Sequence, residues 1–158
     1  MDKILKLILE GEVCDTQQMG QILNMTREEV ISAIAQLKAE KTFLGWIPVL
    51  HPDYESGLVS AAIELKINPA TDAGFDKLAQ RISAFEQVDS CFLMSGAYDL
   101  LLFVKAKNLR EIASFVYEHL AIINGVNATA THFFLKTYKS HGFLIESAVN
   151  TDRPIISA

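Results

Sequence analysis

At Leu58 the apolar pattern of the chain changes period, and that change restricts the folds open to it. Val59, Ala61, Ile63, Leu65 and Ile67 alternate with Ser60, Glu64 and Lys66, the period of two of a strand with one buried face. Asn68-Pro69 ends the strand, and Asp72 opens a helix with Phe75, Leu78, Ala79, Ile82 and Phe85 on one side. Val88 to Met94 and Asp99 to Ala106 read as two more strands, joined at a polar corner containing Gly96, which predicts a β-hairpin. Asn108 and Glu111 suggest a helix cap ahead of Leu109, Ile112, Phe115, Val116 and Leu120; Gly125 closes that helix, and Val126 to Tyr138 form a long last strand. The order β-α-β-β-α-β is that of a ferredoxin-like unit, two helices over one face of a four-stranded antiparallel sheet.

The other face of that sheet is also apolar. The third strand carries Leu100, Leu102 and Val104 on one side and Leu101 and Phe103 on the other. The last strand offers Phe134 and Tyr138 against Phe133 and Leu135. An uncovered apolar face of that size is an association surface, so a second copy of the chain is expected to cover it. Cover by the N-terminal domain or by residues 139–158 is the alternative.

Ahead of Leu58 the spacing is helical. Residues 2–10 place Ile4, Leu5, Leu7 and Ile8 in a stripe; Asp15-Thr16 can cap a second helix with Met19, Ile22 and Leu23 inward. Thr26-Arg27-Glu28-Glu29 has the form of a capping box and leads a third helix with Val30, Ile31, Ile34 and Leu37. Three short helices, the last two separated by a brief turn at Asn24-Met25, predict a helix-turn-helix. Lys41 to Leu50 is β-prone but interrupted by Gly45 and Pro48, a small wing or an extended arm. The layout is therefore α+β: a winged helix-turn-helix over 1–50, a linker over 51–57, a ferredoxin-like domain over 58–140 that dimerises through its sheet, and a tail over 141–158.

Composition narrows the function. No apolar run approaches the roughly 20 residues that span a bilayer, and the opening Met1 to Lys6 lacks the pattern of a signal peptide. Cys14 and Cys91 lie far apart without metal spacing, which suits buried free thiols in a reducing compartment; a cytoplasmic protein is expected. With 14 basic and 19 acidic side chains the net charge is −5, which disfavours strong non-specific attraction to nucleic acid or acidic membrane. There is no glycine-rich phosphate loop, no Ser/His/Asp constellation and no i, i+4 pair of metal ligands. No cofactor, no metal and no catalysis are expected. At the hairpin corner, N–H groups near Gly96, the Tyr98 phenol and the Asp99 carboxylate can together hold a small zwitterion; an ordinary turn is the plainer reading of the same residues.

A helix-turn-helix, a β-prone arm and a βαββαβ unit with Gly96-Ala97-Tyr98-Asp99 at its central hairpin resemble the Lrp/AsnC, or feast/famine, regulators. The likeness runs from about Asp2 to Gly142. It is carried by Asp2-Lys3-Ile4-Leu5, Leu37-Lys38-Ala39-Glu40-Lys41, Gly57, Ser95 to Asp99, and Gly125-Val126 with Thr129 and Thr131. Thr131 to Lys139 is similar to the family's closing strand. The resemblance implies an amino-acid-responsive transcriptional regulator whose second half is an effector-binding RAM domain. It also implies a homodimer assembled through the sheets, with tetramers or octamers as larger forms. Its effector site falls on Gly96, Ala97, Tyr98 and Asp99, with Thr131 on the adjacent strand as a further candidate that is equally an ordinary strand residue.

The third helix departs from the family pattern. Where several Arg or Lys are usual, Ser32, Ala33, Ala35 and Gln36 stand. Through Tyr54 there are five basic residues against eight acidic, a net of −3, whereas a basic face is the usual footprint of phosphate binding. Thr26, Arg27, Lys38 and Lys41 are the candidate DNA contacts, each also readable as cap or solvated surface. Double-stranded DNA is thus an expected partner, bound weakly and with strong salt dependence. One alternative is an effector-sensing oligomer, or a partner subunit, with little DNA binding of its own. A lesser one is a sirohaem decarboxylase-like enzyme, a group that resembles this family in architecture. Against it, Phe43-Leu44-Gly45-Trp46 stands where that group has an Arg pair, and His119, His132 and His141 are scattered.

Overall fold

The computed structural model describes residues 3–11, 15–55, 57–68 and 72–145. The positions of Asp2, Cys14 and the tail from residue 146 onward lie outside them. The chain divides into two compact units, Met1–Pro48 and Val49–Ala158.

The first unit is three helices, α1 (Lys3–Glu10), α2 (Thr16–Leu23) and α3 (Arg27–Ala39). Ile4, Leu7, Ile8, Met19, Val30, Leu37 and Phe43 are its buried core. Asp15 caps α2 by accepting the Gln17 N–H at 3.1 Å. Asn24 ends α2 in the left-handed conformation, φ 55°, which Asn tolerates better than most residues. Thr26 and Glu29 form the predicted capping box: the Glu29 N–H donates to Thr26 Oγ1 (3.2 Å) and the Thr26 N–H to Glu29 Oε2 (2.7 Å). The Thr26 N–H chiefly, and the Thr26 hydroxyl after it, hold the Glu29 carboxyl below its ordinary value. Gly20 lets the turn fold tightly back on α2, because a Cβ there would meet the Met25 carbonyl oxygen at 2.6 Å. The connectivity is that of a helix-turn-helix. Two residues assigned inward by their spacing face outward instead: Ile22 is 54% and Ile31 45% exposed.

The expected wing is not present among the described residues. Phe43 to Leu50 form no strand, since the segment is broken at Gly45 and Pro48 and has no neighbouring strand to take its backbone hydrogen bonds. It is an arm. Its start folds against α3, where the Thr42 and Phe43 N–H groups donate to the Leu37 carbonyl and Phe43 meets Trp46 edge to face at 5.1 Å.

The second unit is the ferredoxin-like arrangement. After a 3₁₀ turn at Pro52–Glu55 come β1 (Val59–Ile67), α4 (Asp72–Ser83), β2 (Val88–Leu93), β3 (Leu100–Ala106), α5 (Leu109–Phe115) with a π turn over Val116–Leu120, and β4 (Val126–Phe133). The sheet is antiparallel with order β2-β3-β1-β4. Ala61, Ile63, Leu65 and Ile67 of β1 are buried with Leu100, Leu102, Val104 and Ala106 of β3. Leu78 and Ile82 of α4, and Ile112 and Phe115 of α5, complete this core. Each fully buried Ile or Leu there contributes about 1.5–3 kcal/mol relative to exposure. Leu109, expected inward, is 55% exposed.

The expected last strand ends early. β4 stops at Phe133, opposite Ala61, although β1 continues to Val59; the Phe134 N–H still reaches the Ser60 carbonyl at 3.0 Å, and the chain then leaves the sheet. Lys139–Ser140 (β5) and Phe143–Leu144 (β6) pair as a small hairpin around His141 and Gly142, both at positive φ.

Strand register assigns the two faces of the sheet. Ala62 lies opposite Phe103 and His132, Glu64 opposite Leu101 and Ala130, and Phe92 opposite Leu101. On this second face Phe103 touches Phe92 and Phe134, both at 5.9 Å between centroids. His132 Nε2 lies 3.4 Å from Glu64 Oε1 beside them.

Candidate functional site

The hairpin joining β2 to β3 is fastened at its base. The Met94 N–H donates to the Asp99 carbonyl (2.8 Å), and the Asp99 N–H to the Leu65 carbonyl (2.9 Å). The Asp99 carboxylate reaches across to the end of β1, where Oδ2 accepts the Ile67 N–H at 2.7 Å and Oδ1 the Lys66 ammonium at 3.2 Å. The Ile67 N–H chiefly, and Lys66 after it, hold this carboxyl below its ordinary value against the opposing effect of desolvation. Asp99 is therefore ionised and firmly held, with both oxygens already engaged by its own chain.

Beyond that fastening the tip is accessible. Ser95, Gly96 and Ala97 are exposed and Tyr98 is half-buried. Gly96 sits at φ +146°, with open space where a Cβ would project, a backbone conformation L side chains rarely adopt. Gly96, Ala97, Tyr98 and Asp99 are thus brought together on one short loop. Thr131 is not brought to it. It pairs with Ile63 on the helix-covered face, three register rows and two strands away, about 14 Å at standard spacings.

A groove that sequence reasoning missed adjoins the loop. Phe75, Asp76 and Ala79 of α4 face Cys91, Leu93 and Leu100 across a cavity of about 400 Å³. Leu93 and Leu100 are the residues from which the hairpin departs, so loop and groove are continuous. The groove arises from a helix packing against a sheet edge. It leaves no trace in the sequence: Leu93, on the edge strand β2, is 71% exposed. The free thiol of Cys91 is half-buried there.

In the first unit the four candidate DNA contacts fall at the two ends of α3. Thr26 is spent on the cap, its hydroxyl also donating to Glu29 Oε2 at 2.9 Å. The Arg27 Nε–H donates to Thr16 Oγ1 at 3.3 Å, which lays the guanidinium along the start of α2. Lys38 Nζ lies 5.8 Å from the centre of the Phe43 ring, a cation–π distance. Lys41 follows the helix, exposed and at φ 58°. Arg27 and Lys38 are eleven residues apart, about 16 Å along the axis. The histidines do not converge: His119 packs beside Phe85 and Phe115, His132 faces Glu64, and His141 is in the β5–β6 turn.

Residues 60–144 match the model of the Lrp/AsnC ligand binding domain. An uncharacterised HTH-type transcriptional regulator of Bacillus subtilis, YugG, is 32% identical over 158 residues, covering 98% of this chain and 95% of its own length. Among solved structures, a transcriptional regulator of Neisseria meningitidis in complex with L-methionine superposes with a TM-score of 0.65 at 23% identity, over 89% of this chain and 93% of its own. The leucine response regulatory protein of Mycobacterium tuberculosis does so with a TM-score of 0.68 at 20% identity, over 92% of this chain and 100% of its own.

Proposed function

Because this chain belongs to the Lrp/AsnC family, we propose that it is a cytoplasmic transcriptional regulator that binds double-stranded DNA through α2 and α3 and answers to a small amino-acid-like effector at its second unit. The observation that carries the reading is the pairing, in one chain, of a helix-turn-helix with a sheet unit whose hairpin has an accessible tip beside an apolar groove. The N–H groups around Gly96 and the Tyr98 phenol receive the polar end of the effector, and the groove bounded by Phe75, Leu93 and Leu100 takes its side chain. Asp99 keeps the loop in place and adds negative charge near the ammonium. The relative solved with L-methionine supports an α-amino acid as the class of ligand.

The aromatic face of Phe92, Phe103 and Phe134 supports a homodimer formed sheet to sheet, on which larger rings are built. Linked modules raise effective concentration, so helices with few cations still hold DNA when several bind together. No catalytic role is assigned to this chain.

The test is recovery of sheared genomic DNA by the purified full-length protein at low and moderate salt, with and without pooled amino acids. Discrete fragments whose recovery changes with the pool support the reading. Failure to recover DNA at either salt overturns direct DNA binding and favours a sensing oligomer or partner subunit, the reading to which the net charge of −3 through Tyr54 points.

A further inference from the structure

The outer side of α3 is almost free of charge. Val30 and Leu37 are buried and Ala33 and Ile34 half-buried, which fixes the inward direction of the helix. A period of 3.6 then puts Glu28, Ser32, Ala35 and Ala39 on the opposite side, flanked by Ile31, and all five are exposed. Ile31 is a branched aliphatic side chain left 45% exposed, where neither the core nor helix propensity asks for it. Arg27 and Lys38 are the only cations of α3. They stand near its two ends, with the strip between them and Lys41 just beyond.

That distribution separates two tasks on one helix. Cations at both ends can meet the phosphates on either side of a major groove about 12 Å wide, while the strip between them faces base edges. The usual reading of guanine is a bidentate contact from Arg or Lys, and the strip has neither. Adenine is read by Asn or Gln, but Gln36 is engaged with Glu40, donating from Nε2 to Oε1 at 2.8 Å. The base feature that suits exposed methyl and methylene groups is the 5-methyl of thymine. The flanking cations argue for a nucleic acid over a protein on this strip, since phosphates supply the charges they lack.

Resting on the DNA-binding reading above, we propose that Ile31 and Ala35, with Ser32 between them, set the sequence preference of this protein by contact with thymine 5-methyl groups in the major groove. Arg27, Lys38 and Lys41 supply affinity that does not depend on sequence. Glu28 opposes phosphate at the strip's first turn and selects against a displaced register.

The experiment takes the tightest duplex selected from a random pool by the full-length protein and replaces its thymines one at a time by deoxyuridine, which pairs alike and lacks only the methyl. Loss of one buried methyl contact weakens binding about threefold to fivefold. The expected result is that loss at two or more positions, closed at one of them in Ile31→Ala, where thymine and uracil then bind alike, and kept at the position that Ala35 contacts. Exposure of Ile31 makes misfolding of this variant avoidable, and circular dichroism of the variant checks it. Equal binding of thymine and uracil duplexes by the unaltered protein overturns the inference while leaving DNA binding intact. A thymine preference undiminished at every position in Ile31→Ala also overturns it. Absence of any selected duplex at low salt overturns both this inference and the reading beneath it.

Discussion

Phe103 and Phe134 meet diagonally across β1, their ring centroids 5.9 Å apart and their planes at 61°, because the residues of that strand beside them are the small Ala62, opposite Phe103, and Ser60, whose carbonyl takes the Phe134 N–H. A larger side chain there would hold the rings apart. The contact gathers an aromatic patch on a sheet face that the helices do not cover, and Phe134 is still 48% exposed. If this face joins two copies, each ring counts twice across a twofold axis. At about 2 kcal/mol per ring, Phe134→Asp weakens self-association about a thousandfold. Sedimentation velocity at micromolar protein reads it; an unchanged sedimentation coefficient would move the interface elsewhere.

The bond between Asp99 and the Ile67 N–H gives stability a dependence on pH. A carboxyl held below its ordinary value of 3.8 contributes stability that is present above that value and is lost as the pH falls through the folded-state value. Asp99→Asn therefore unfolds at lower denaturant concentration than the unaltered protein at pH 7, and the gap narrows below about pH 4. A gap constant from pH 7 to pH 3 means that the carboxylate is not what fastens the loop.

At Gly20 two effects oppose one another. Alanine gains about 1 kcal/mol in helix propensity, but its Cβ would meet the Met25 carbonyl oxygen at 2.6 Å, and backbone cannot swing aside as a side chain does. Overpacking of this kind costs about 1–3 kcal/mol, so Gly20→Ala is expected to destabilise the helical unit on balance. Amide exchange in α2 and α3 reports it directly, and slower exchange in the variant would contradict the clash.

Arg27 is expected to hold phosphate. Arg27→Ala then weakens binding to all duplexes alike and lowers the salt slope by about one for each module bound. Titrations across a series of salt concentrations measure this. Loss confined to one sequence, with the slope unchanged, would show Arg27 reading a base instead.

How far the sequence reached depends on what each feature needs from elsewhere in the chain. β1 was legible because alternation is local and its core face, Ala61 through Ile67, follows the pattern. The Thr26–Glu29 box was legible because both halves of the bond lie within four residues. The end of β4 was not, because Phe134 to Tyr138 are as strand-prone as what precedes them, yet the chain leaves the sheet while β1 still continues to Val59. Ile31 fitted the helical period as well as Val30 did; which of the two faces inward is settled by α1 and α2. At the candidate site, Tyr98 and Asp99 stood out as residue types, but the partner of Asp99 is a backbone N–H at Ile67, and a backbone N–H has no signature in a sequence. The groove between α4 and β2 brings Phe75 to Leu93 through tertiary packing alone.

The doubly fastened hairpin has a consequence for how such a protein can change over generations. Met94 and Asp99 close the loop beneath its tip, and Asp99 ties that closure to β1. Ser95 and Ala97 stand outside these bonds in solvent. If the tip is the effector's seat, as proposed, substitution at those two positions touches none of the bonds that fasten the loop, so selection for a different ligand can act there without opposing selection for a folded chain.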